Sequence, residues 1–152
     1  MTTTEYLIQL SESPCSGFAH IDFTEQNYEQ KVFSSVFGSS GSIFMDGLAL
    51  FLHNTDSQLI QFSPDAYKLI HAPTSAEIIE LSFRACGFPP SFTEEQKTSH
   101  LSDLNKKQVD SLNQLDQAFY STGEILDDLL FDFVASHSDV FGLPSSEITR
   151  RA

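Results

Sequence analysis

Apolar residues recur every three or four positions along most of this chain, between segments bounded by helix caps and helix stops. That spacing places them on one face of an α-helix, whereas the strict alternation of a half-buried strand is almost absent. Tyr28, Val32, Phe33 and Val36 make the first such face, which runs from Thr24 to a stop at Gly38. Ser39–Ser42 reads as a turn. The following segment, from about Ile43 to His53, is apolar nearly all round and is expected in the middle of a core. Ser63 before Pro64 reads as an N-cap and opens a short helix through Ile70. Thr74-Ser-Ala-Glu77 has the form of a capping box, and Ile78, Ile79, Leu81, Phe83 and Ala85 carry that helix to Gly87. Thr93-Glu-Glu-Gln96 is a further box, ahead of a long stripe of Leu101, Leu104, Val109, Leu112, Leu115 and Phe119. Ser121-Thr-Gly-Glu124 caps the last helix, whose stripe of Ile125, Leu126, Leu129, Leu130, Phe133 and Val134 ends near Gly142 and Pro144. Gln58–Phe62 is the only β-like run. The expectation is one compact all-α domain of about six helices over 23–144, after an irregular Ser/Thr-rich lead-in at 1–22 and before a C-terminal tail at 145–152.

With 152 residues, 40% of them hydrophobic and fourteen of them Phe, the chain can build one sizeable core and bury roughly 70% of its unfolded surface. Its 21 acidic and 8 basic residues give a formal charge of −13, which disfavours direct contact with nucleic acid or an anionic membrane. Two cysteines, Cys15 and Cys86, make no disulfide framework and point to a reducing compartment. Met1–Glu5 lacks the basic start of a signal sequence, Tyr6–Ile8 is too short an apolar run to be one, and no segment is long enough to span a bilayer. The expected location is the cytoplasm.

The charge is unevenly placed. Between Gln108 and Glu147 there are forty residues with no Lys or Arg and eight carboxylates. Glu124, Asp128 and Asp132 are four apart, with Asp127 beside them, so on one helix successive carboxylates lie about 6 Å apart along the axis. A DNA strand carries a phosphate about every 3.4 Å. Asp110 and Asp116 would supply a second row if the two last helices packed antiparallel, which their short connection favours. Outward faces of helices are polar in any case, but faces built for solubility mix both signs. A continuous face of one sign attracts basic proteins. The candidate partner-binding residues are therefore Asp110, Asp116, Glu124, Asp127, Asp128 and Asp132.

No catalytic set emerges. His20, His53, His71, His100 and His137 stand singly, and no His-Glu-x-x-His, Cys-x-x-Cys or Glu-x-x-His spacing occurs, so neither metal nor cofactor is expected. Asp127, Asp128 and Asp132 lack a loop to wrap a cation. Gly38-Ser-Ser-Gly41 has no following Lys-Ser/Thr and does not follow a strand. Cys86 sits at an apolar helix end and reads as a buried thiol, and His137 near Asp139 reads as a helix-end histidine before it reads as a base.

The order of features from about Phe37 to Leu143 resembles the bacterial DNA-mimic protein family, a helical group of unknown function. The stretch Asp46-Gly47-Leu48-Ala49-Leu50-Phe51-Leu52-His53-Asn54 matches its Gly-Gly-aromatic-x-Gln-Phe-Phe-x-x-Asn-like motif, with Asp46 in place of the first Gly and Leu50 in place of the Gln. Ser63–Pro73 and Ala76–Glu80 follow in the family's order, and Leu115-Asp116-Gln-Ala-Phe119-Tyr120 resembles its Leu-Asp-x-x-Phe-Tyr element. The resemblance implies an all-α homodimer whose acidic surface imitates duplex DNA and occupies the DNA-binding face of a transcription factor. The first functional reading is thus a non-enzymatic protein that binds a basic DNA-binding protein. The alternative is an immunity or antitoxin-like inhibitor of a basic toxin, which would use the same electrostatics on a different partner.

Overall fold

In the computed structural model residues 1–142 are described, and they form eight α-helices and no strand. The helices are α1 (Thr3–Glu12), α2 (Tyr28–Asp46), α3 (Leu48–Asn54), α4 (Ser57–Leu69), α5 (Pro73–Cys86), α6 (Glu94–Ser102), α7 (Lys106–Tyr120) and α8 (Leu126–Ser136), with short 3₁₀ turns at Pro14–Ser16 and Phe23–Glu25. The all-α expectation holds, and one buried apolar cluster runs from Leu7 to Phe141. The last helix starts at Leu126 behind Ile125, without the expected Ser121–Glu124 cap, and ends at Ser136, short of the expected stop near Gly142; Pro144 and the expected tail at 145–152 lie outside the described residues.

The centre of the fold is α2, which packs against α3, α4 and α8. It does not stop at Gly38, and Ser39–Ser42 is not a turn: one helix of 19 residues runs through them from Tyr28. Intrinsic propensity argues for a break here, since Gly is poor inside a helix and Ser competes for backbone hydrogen bonds. Packing overrides it. The Ser39 hydroxyl lies 2.8 Å from the hydroxyl of fully buried Tyr67 on α4, and a Cβ on Gly38 would come within 3.3 Å of the Phe18 ring. Small side chains are what let the neighbours approach this helix. The break falls instead at Gly47, whose φ of +89° suits glycine. The segment expected to be buried all round is therefore two helix ends at a corner, and Phe44, Met45 and Leu50 reach solvent.

In α4 the apparent start at Ser63-Pro64 is interior. The helix begins at Ser57 behind an Asp56 cap, taking in the β-like run Gln58–Phe62. Pro64 has no N–H for the carbonyl of Ile60, and the Ser63 hydroxyl donates to that carbonyl at 2.6 Å in its stead. The Ser-Pro pair is thus a repaired interruption. The long stripe from Leu101 to Phe119 also divides, into α6 and α7, because Asn105 and Gln108 form a capping box that restarts the chain. The Thr93–Gln96 box starts α6 as the pattern indicates. Cys86 is buried, and burial pushes its thiol up to about 11.

The lead-in departs most from expectation. Residues 3–12 are helical, started by a capping box between Thr2 and Glu5, a signal present in the sequence. Leu7 and Leu10 are buried, and α1 packs on α8. Gln26 and Gln30 fasten the following turns: Gln26 donates to the carbonyls of Gly17 and Ile21, and Gln30 to that of Cys15. Leu7→Ala should accordingly cost about 2–5 kcal/mol, the range for emptying a buried leucine site, as measured by urea denaturation. A lead-in lying outside the core would lose almost nothing.

Candidate functional site

The six candidate carboxylates do not share one stripe. The helices α7 and α8 do not pair as two antiparallel rows: α7 packs on α3 and α5, and α8 on α1 and α2. Glu124 precedes α8, which starts at Leu126, so the spacing of four from Glu124 through Asp128 to Asp132 is continuous on the helix only for the last two.

Asp116, half-buried on α7, accepts the N–H of Leu48 at 2.7 Å and so caps the first turn of α3. Its own N-cap, Gly47, offers no side chain, and a Cβ there would sit 2.9 Å from an Asp116 oxygen. Desolvation raises the Asp116 pKa, and the Leu48 hydrogen bond opposes that rise. The raised value means that the folded state binds the proton more tightly than the unfolded chain, so ionised Asp116 is carried at a cost above its folded pKa.

Glu124 caps a different helix. Its carboxylate accepts the N–H of Thr74 at 3.1 Å, and the N–H and hydroxyl of Ser75 at 2.7 Å each. This replaces the expected Thr74–Glu77 box, because α5 starts at Pro73, behind Ala72, which has no capping side chain. A carboxylate at a helix N-terminus satisfies orphan donors and meets the positive end of the helix dipole.

Asp127 and Asp128 lie in the first turn of α8, where the same dipole favours them. Neighbouring carboxylates cost little stability in that position, so their crowding is no sign of strain. Asp127 also accepts the hydroxyl of Thr4, tying α8 to α1. Asp132 is exposed one turn further along and borders a cavity of about 350 Å³ with Glu29, His71 and His137. The Nδ1 of His137 lies 2.8 Å from the carbonyl of Phe133 at the end of α8. Asp110 is exposed at the start of α7, one turn after Lys106, and shares a surface hollow with Lys106 and Lys107. The cation-free run begins just beyond these two lysines, so that end of the surface is of mixed sign.

Three of the six, Glu124, Asp127 and Asp128, do come together, on a groove between α1, α2 and the start of α8. Ile8, Phe44 and Ile125 line the same groove and are exposed. These apolar members belong to helix faces the periodicity assigns inward or to a segment read as irregular. The Thr2–Glu5 capping box was the signal that would have placed Ile8 on a helix. Among the described residues no group of three or more His, Cys, Asp and Glu is placed to hold a metal ion, and no helix is long and apolar enough to cross a membrane.

The segments that carry the family resemblance meet in space. Besides the contact of Asp116 with Leu48, the Tyr120 hydroxyl donates to the Ile43 carbonyl at 3.0 Å, and Phe119 packs against both Phe44 and Tyr67. A family model described as DMP19-like protein matches residues 24–137, which is 114 of the 152 residues. No curated protein and no solved structure gives a significant match.

The two trans caps can be tested separately. Glu124→Ala should lose about 1–2 kcal/mol of stability by leaving the Thr74 and Ser75 N–H groups without their acceptor, with Glu124→Gln intermediate. Asp116→Asn keeps an acceptor for Leu48 and removes the buried charge, so it should match or exceed wild type at neutral pH. Wild type should gain on Asp116→Asn as the pH falls through the raised Asp116 pKa, as thermal melts at a series of pH values would show.

Proposed function

The chain belongs to the DMP19-like protein family, a family of DNA mimics, and from that premise we propose a non-enzymatic cytoplasmic protein that occupies the DNA-binding surface of a transcription factor. The observation that carries this reading is the family match over residues 24–137. The formal charge of −13 makes it physically workable, since a field of that sign draws basic surfaces and repels nucleic acid. The acidic start and outer face of α8, with Asp127, Asp128 and Asp132, is the part of the surface best suited to stand in for a phosphate row. Asp128 and Asp132 are one helical turn apart, about 6 Å along the axis. Asp116 and Glu124 contribute to the field at longer range, while their hydrogen bonds hold α3 and α5. Asp110 lies beside two lysines and contributes least. A homodimer belongs to the same reading, as two copies would extend the acidic field.

Competition with DNA supplies the test. The immobilised protein is loaded with native lysate at low salt and then washed with short duplex DNA. DNA-binding proteins should be released by the duplex, and by moderate salt in its absence, because charge complementarity dominates such an encounter. The double variant Asp128→Lys, Asp132→Lys should retain them about tenfold less well or worse. A thermal melt of that variant accounts for the modest loss from placing a cation at the start of α8. Capture that neither duplex DNA nor the double variant alters would reject mimicry.

A further inference from the structure

The groove between α1, α2 and the start of α8 has a volume of about 560 Å³ and joins two kinds of side chain. Ile8, Phe44 and Ile125 are 46%, 51% and 66% exposed, an unusual cluster of large apolar groups left in water. Around them stand Glu124, Asp127 and Asp128, and among the described residues no Lys, Arg or His lines the groove. Two of these carboxylates are already fixed, Glu124 on the α5 N-terminus and Asp127 by Thr4, so little ordering is needed when a partner arrives. An apolar centre inside a charged rim is the arrangement of an interaction hot spot.

The rim selects the occupant. A second copy seated symmetrically on this groove would bring two acidic rims face to face, and an anionic membrane would be repelled in the same way. A cationic partner with apolar side chains on one face satisfies both halves. We propose that this groove binds a basic amphipathic helix of a partner protein. Its apolar side chains, one turn apart, enter between Phe44 and Ile125, and its Lys and Arg side chains reach Asp127 and Asp128. This rests on the reading of the chain as an acidic interaction protein, and adds an apolar anchor that imitation of DNA by charge alone does not require.

Ile125 gives a clean test, because it is the N-cap of α8 and supplies no capping hydrogen bond. Ile125→Asp therefore removes the apolar anchor, adds a negative charge and offers the helix a better cap. The probes are two labelled helical peptides of equal charge, one with a Leu stripe at helical spacing among lysines, the other with Gln in place of each Leu. Wild type should bind the Leu peptide about tenfold or more tightly than the Gln peptide. Ile125→Asp should abolish that preference with an unchanged or raised Tm. Equal binding of the two peptides, or undiminished binding of the Leu peptide by Ile125→Asp, would overturn the proposal and leave charge alone at work. Sedimentation at rising concentration covers the remaining occupant: a wild-type dimer that Ile125→Asp dissociates would assign the groove to a second copy and overturn it too. Neither peptide measures duplex displacement, so failure here is separable from failure of DNA mimicry.

Discussion

A helix of seven residues cannot hold itself in water, and the corner of the fold depends on how α3 is clamped. At its first turn the Asp116 carboxylate takes the Leu48 N–H. At its other end the buried Lys97 ammonium donates to the Thr55 carbonyl and pairs with Glu94 at 3.0 Å. An anion at the N-terminus and a cation at the C-terminus are the signs the helix dipole favours, and each also satisfies a backbone group that the short helix leaves open. Through these two side chains α6 and α7 are fixed to the corner where α2 turns at Gly47. The Gly at that turn has a second reason besides its φ, since a side chain would collide with Asp116.

The same device recurs at α5, where Glu124 arrives from fifty residues further along the chain to cap a helix that begins without a capping side chain of its own. Acidic residues in this protein thus divide by task. Asp116 and Glu124 are tied into other helices, Asp127 joins α8 to α1, and Asp128 is stabilised by its place in the first turn. The like-charge crowding that suggests a surface selected for its field is in good part a set of helix caps. Capping and field are compatible, because a carboxylate that accepts hydrogen bonds keeps its charge. Two of the cations are engaged likewise: Lys97 is buried at α3, and Lys68 pairs with Glu80 at 2.8 Å.

The residues that carry the family resemblance are chiefly architectural. Gly47, Leu48, Tyr67, Asp116, Phe119 and Tyr120 meet around α2, α3, α4 and α7. They specify the scaffold, whereas Asp127, Asp128 and Asp132 on α8 belong to none of the quoted motifs. Recognition of the family therefore reads the core, and the surface that would meet a partner is read from charge and exposure.

Helical class, the capping box at Thr93, the stop at Gly87 and the excess of acid follow from the order of residues alone, because period and caps act over one or two turns. Where α2 ends and what starts α5 do not. Those outcomes turn on Tyr67, Phe18 and Glu124 placed against segments that periodicity treats in isolation. The candidate site divides in the same way. Its carboxylates are visible as a run without cations, but which of them share a surface was decided by α7 and α8 packing on different neighbours. The apolar side of the groove gains Ile8 because α1 folds onto α8, and a contact between opposite ends of the chain has no local signal.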